Sequence, residues 1–183
     1  VDSIQHWEPF EFNGITYDLG HLDCHEVVFQ KVAAPIIFVV TYGLHCFTKA
    51  DTEHNIPITY ADGRHTQPIC LERYSASIKL RELIQNLGSG ALIYLTQGES
   101  FFTLERMNNA TGAIESFKIC MAIFREHRLL RIHVTSAFFA RTGEGSPGIP
   151  VNKKGFSIFK VAADTQKKPK GQYPKEVQNR YRT

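Results

Sequence analysis

Apolar residues recur at every second position over several short stretches of this chain. That spacing sends neighbouring side chains to opposite faces of a β-sheet. Phe10-Glu11-Phe12 and Ile15-Thr16-Tyr17 alternate on either side of Asn13-Gly14, a pair that tolerates the positive φ of a tight hairpin turn. Residues 26–31 and 35–46 read as the next strands. The second contains Ile36-Ile37-Phe38-Val39-Val40-Thr41-Tyr42, a β-branched and aromatic run of the kind found in strands buried on both faces. Residues 49–70 are polar and turn-rich and read as a loop.

The period changes near the middle. Ile78, Leu80, Leu83, Ile84 and Leu87 approximate one apolar stripe of a helix over 75–87, with Ser75 or Ser77 as cap and Gly88 as stop. Strands then follow at 91–96, 100–107, 114–124 and 129–139, separated by turn residues at 97–99, 108–112 and 126–128. Residues 140–154 read as a long loop and 155–162 as a last strand. The expected fold class is α+β: an antiparallel or mixed meander sheet packed on one main helix, in a single domain over 1–163.

Composition supports a packed core, with 43% hydrophobic residues and 13 Phe. The longest apolar run, Ala33 to Val40, is far short of the roughly 20 residues that span a bilayer. Cys24, Cys46, Cys70 and Cys120 are scattered without a Cys-x-x-Cys, which points to reduced thiols and a cytoplasmic protein. Charge is uneven: residues 164–183 hold six Lys or Arg against two acids, a net +4, and the rest of the chain carries −1. A basic tail with Lys167, Lys168 and Lys170 can grip nucleic-acid phosphates; a solvated terminus is the plainer reading.

Candidate chemistry gathers in three places. In the strand 129–139, Arg131, His133 and Thr135 share one face by alternation, with Ser136 on the other. A cation, an imidazole and a hydroxyl can hold a phosphate and move a proton; an edge strand with a solvated face has the same pattern. His45 and Cys46 stand where a buried strand meets a loop, a common place for acid–base groups or a nucleophile, although a lone Cys is usually a small buried hydrophobe. Arg73-Tyr74-Ser75 precedes the expected helix, where Arg73 could bind a phosphate and Tyr74 could stack a base. His21, Cys24, His25 and His45 could offer metal ligands, but no spacing rule demands it. Neither a phosphate-binding Gly-rich fingerprint nor a Gly-x-Ser-x-Gly elbow occurs, and no cofactor is implied.

The helix followed by a meander that ends in Val134-Thr135-Ser136-Ala137-Phe138 resembles the barnase–EndoU–colicin–RelE class of small ribonuclease toxins over residues 73–140. Terminal strands of that class often read Val-x-Thr-Ala-Phe, and the resemblance implies a phosphate-contacting hydroxyl at Thr135 or Ser136. The chain departs from the class in placing strands before the helix and a further strand, 155–162, after the meander. The expectation is a metal-independent endoribonuclease, a growth-inhibiting toxin of bacterial or phage type. RNA would be its substrate, and an antitoxin or host protein its partner. His45, His133 and Arg131 would be its central residues. The rival expectation is a non-catalytic interaction or regulatory module of prophage type.

Overall fold

The computed structural model describes residues 6–31, 33–63, 65–96, 101–141 and 154–169. Its centre is a six-stranded mixed sheet. The strands are β3 (His25–Phe29), β4 (Ile36–His45), β7 (Tyr94–Leu95), β8 (Phe101–Asn108), β9 (Ile114–Glu126) and β10 (Leu129–Phe139), in the order β3-β4-β10-β9-β8-β7. β7 to β10 form the expected antiparallel meander, and β10 then pairs in parallel with β4. Asn13 and Gly14, both at positive φ, turn β1 (Phe10–Phe12) into β2 (Ile15–Tyr17). The fold is α+β, as the alternating pattern implies.

Three expectations fail. Residues 49–70 contain a second hairpin, β5 (Asn55–Ala61) with β6 (Thr66–Cys70), in which Tyr60 packs its ring against Trp7 and Phe47. The expected helix 75–87 is two short ones, α1 (Leu71–Ser77) and α2 (Leu80–Gln85), continued by a 3-10 turn over Asn86–Ser89. Neither Ser75 nor Ser77 caps it: α1 starts directly from β6, and Ser77 donates back to the Tyr74 carbonyl. Gly90, at φ 110°, ends the turn, whereas Gly88 packs where a Cβ would lie 2.7 Å from the Phe29 ring. The expected last strand is α3 (Ile158–Lys167), with Ser157 as its N-cap and Ile158, Val161, Ala162 and Thr165 buried at helical spacing. Residues 164–167 therefore belong to the folded body. Lys170 and nearly all of the 140–154 loop lie outside the described residues.

Register sorts the central strands into two faces. Phe38, Val40 and Tyr42 on β4 align with Leu130, Ile132 and Val134 on β10, and these with Ile123 and Met121 on β9. All are buried in one apolar core. The helix α3 lies on β9 and β10, where Arg125 donates to its Gln166 carbonyl. Each large side chain buried there contributes roughly 1.5–3 kcal/mol. The opposite face carries the polar residues.

Candidate functional site

The register fixes what stands beside what on the polar face. Arg131 lies between Val39 and Phe124, and His133 between Thr41 and Ala122. Both ladders then shift between Val134 and Ser136: Thr135 is the extra residue of a bulge against β9, while β4 advances one residue more than β10 over the same step. A bulge resets which side chains share a face. Ser136 therefore lines up with His45 on one side and Cys120 on the other, and Cys120 with Phe102. The next row is Phe138, Lys118 and Leu104.

His45 is held at the end of β4. Its Nδ1 lies 2.8 Å from the Gln67 side-chain carbonyl, which also takes the Thr48 hydroxyl at 3.0 Å. A carbonyl acceptor places the ring proton on Nδ1 and leaves Nε2 as the base. Gln67 belongs to the hairpin β5–β6, so this second sheet orients the imidazole. The His65 ring stacks on it at 6.4 Å.

His133 is 3% exposed, and its Nδ1 lies 2.9 Å from the Thr41 hydroxyl. Either group can donate in this bond; a protonated ring donates Nδ1–H to the Thr41 hydroxyl and carries its second proton on Nε2. That nitrogen is 3.4 Å from where a Cβ at Gly43 would stand. Gly43 thus packs closely against the His133 ring and the Thr135 carbonyl, where a larger residue would crowd both. His45 lies two residues farther along the strand, roughly 7 Å on.

The other expected residues are distributed as follows. Arg131 is 4% exposed and pairs with the equally buried Glu126 at 3.5 Å, so its charge is matched inside the protein. Thr135 donates across the bulge to the Cys120 carbonyl, which leaves Ser136 as the hydroxyl in the His45 row. Arg73 stands in the interior of α1, not ahead of it. It donates to the carbonyls of His45 and Thr48, and its guanidinium lies 5.3 Å from the Phe138 ring centre. Tyr74 faces away into an aromatic cluster with Phe10 and Tyr17, its hydroxyl on the Asp18 carbonyl. Lys167 and Lys168 sit at the end of α3, away from this row. Cys46 is buried with its thiol pushed up to about 12, chiefly by desolvation, which makes it a poor nucleophile.

Two members of the cluster were not expected. Cys120 is half-buried; burial pushes its thiol up, while the charges of Lys118 and Arg73 and a bond from Ser136 pull it down. Lys118 is only 2% exposed, with its ammonium 4.5 Å from the Phe102 ring centre. A lone Lys within Phe117-Lys118-Ile119-Cys120-Met121 was the available signal. Its meaning depends on which residues face it.

Among the described residues no three His, Cys, Asp or Glu side chains gather as ligands. His21 Nε2 lies 2.7 Å from the Ser77 hydroxyl, and His25 stacks on Tyr42. A separate open cleft of about 290 Å³ lies between β5 and α1, lined by His54, Ile56, Leu71, Glu72 and Ser75 among others. None of the expected catalytic residues reaches it.

No solved structure matches the chain. It is 33% identical over 147 residues to Protein YjaZ of Escherichia coli (strain K12), an alignment covering 74% of this chain and 80% of that protein. The YjaZ family model matches residues 9–166. With that span and that relative, the chain belongs to the YjaZ family.

Proposed function

We propose that the polar face of β4, β10 and β9 cleaves RNA without a metal, in a growth-inhibiting role of bacterial or phage type. The observation that carries this reading is the row His45–Ser136 with the His133 ring packed on Gly43, two residues before His45. Such cleavage needs little beyond proton transfer and charge stabilisation, because the substrate brings its own nucleophile. His45 Nε2 takes the proton of the ribose 2′-hydroxyl as that oxygen bonds to phosphorus. The bond from phosphorus to the 5′-oxygen breaks, and His133, acting as an imidazolium whose Nδ1–H is held by the Thr41 hydroxyl, returns its Nε2 proton to that oxygen and is left neutral. The products are a 2′,3′-cyclic phosphate and a 5′-hydroxyl. Ser136 orients a phosphate oxygen, and the Arg73 charge offsets the negative charge that builds on the phosphate.

The test is incubation of pure protein with total RNA in excess chelator. Wild type is expected to cleave, and His45→Ala and His133→Ala to lose about 10²- to 10⁴-fold in rate. Intact RNA, or equal cleavage by all three proteins, overturns the reading.

One observation favours the rival, a non-catalytic interaction module. At the far end of the same face, Val28 pairs with Ile37, and Leu129 follows beside them on β10. They are 37%, 48% and 50% exposed, a short apolar row of the kind that docks a partner. A folded wild type inert toward RNA leaves that reading in place.

A further inference from the structure

Lys118 presents a problem that the hydrolytic reading does not solve. It projects from the centre of a six-stranded sheet with 2% of its surface exposed. A buried ammonium is costly unless a negative group compensates it. Yet no carboxylate among the described residues pairs with it, and its ammonium lies over the face of Phe102. Buried Arg131, on the same face, has Glu126. The contrast is between a cation matched within the fold and one whose match is missing.

The surroundings of Lys118 point the same way. Phe138 stands beside it across the ladder, with the Arg73 guanidinium over that ring. One row back lie the half-buried Ser136 and Cys120, and the charges of both Lys118 and Arg73 act on the Cys120 thiol. Two cations, a hydroxyl and a thiol thus stand on neighbouring positions of one face, with Ser136 and Cys120 only half-buried. Glu126, three rows from Cys120 on the same face of β9, is engaged with Arg131.

We propose that Lys118 and Arg73 hold the oxyanion of a phosphoryl group against the Ser136 hydroxyl. Lys118 supplies the missing charge match only when that group is bound. The proposal rests on the RNA reading for the source of the phosphoryl group, a phosphodiester of the substrate strand. A free phosphate has the same chemistry, and the experiment separates the two.

Thermal melting and isothermal calorimetry are run on the full chain with inorganic phosphate and with a non-cleavable 2′-O-methyl oligoribonucleotide, against chloride at matched ionic strength. Wild type is expected to melt higher with either ligand, and phosphate to displace the oligonucleotide. Lys118→Met, which keeps the apolar stem, is expected to bind roughly ten- to a hundredfold more weakly, the loss of one charge-assisted contact. Lys118→Arg is expected to retain most binding. Should Lys118→Met not fold, Ser136→Ala serves instead, with weaker binding expected. Stabilisation by phosphate alone assigns a free-phosphate site and removes the phosphodiester source. Wild type unmoved by both ligands, or Lys118→Met binding as tightly as wild type, overturns the proposal. A protein that cleaves RNA but fails these tests keeps the hydrolytic reading and loses this one; one that binds but does not cleave does the reverse.

Discussion

The two faces of the central sheet are built from the same strands and obey different rules. On the helix-covered face, Phe38, Val40, Ile132, Val134 and Ile123 meet only apolar neighbours. On the other, Thr41, Lys118, Glu126, Arg131 and His133 are nearly as inaccessible but polar or charged. Burial therefore does not separate structure from chemistry in this molecule. The polar groups on that face differ in their partners: Arg131 has Glu126, His133 has Thr41 and His45 has Gln67, whereas Lys118 has only the Phe102 ring among the described residues.

The comparison can be broken most forcefully on the apolar face. Phe38→Ala removes a fully buried ring and is expected to cost about 4 kcal/mol by denaturant unfolding. A cost under about 1 kcal/mol would mean that this face is not the core. On the polar face, Arg131→Met leaves Glu126 buried without its described cation and is expected to cost about 3 kcal/mol. Adding Glu126→Leu is expected to restore part of that, read in the same unfolding assay. If the double variant is worse than the single, the pair is not what holds these charges.

Gly43→Ala sharpens the comparison further. The added methyl would stand 3.1 Å from the Thr135 carbonyl oxygen and 3.4 Å from His133 Nε2. A stability loss of about 1 kcal/mol is expected, with a much larger loss of RNA cleavage because the methyl displaces the His133 ring or the bulge carbonyl. Equal proportional effects on both would remove Gly43 from the site.

The smallest effect concerns His21 and His25, both held below their ordinary value, chiefly by burial. Their folded forms favour the neutral ring, so the unfolded chain binds protons first as pH falls. The stability they contribute is present above about pH 6.5 and is lost as pH falls through their folded values. Unfolding midpoints measured from pH 7.5 to 5 should fall, and His21→Gln should flatten that fall. A midpoint independent of pH contradicts it.

Much of the sheet was legible in the sequence because alternation survives wherever one face is apolar. Asn13-Gly14 announced its hairpin, and the meander from β8 to β10 follows its turn residues closely. The hairpin β5–β6 was hidden because its polar composition outweighed the alternation of Ile56, Ile58 and Tyr60. The start of α1 was hidden for another reason: Cys70 precedes it with no side-chain cap, so no capping residue marks the boundary. In α3 a short apolar run fits a strand or a helix equally well, although Ser157 and the Lys160–Asp164 pair favour the helix.

The candidate site was legible as a set of residue types and not as an arrangement. Alternation puts Thr135 with His133 and separates Ser136 from them. The bulge at Thr135 reverses this and seats Ser136 beside His45. Nothing local in the sequence specifies that bulge. Lys118 and Cys120 were missed because their neighbours come from β8 and β10, and register across strands is a property of the whole sheet.

The central claim is that His45 and His133 work on a ribose 2′-hydroxyl. Its most direct test is end-group analysis after incubating the protein, in chelator, with an RNA oligonucleotide and with its fully 2′-O-methylated twin. The account predicts 2′,3′-cyclic phosphate and 5′-hydroxyl ends from the RNA and none from the methylated strand. Cleavage of both strands, or of neither, contradicts it.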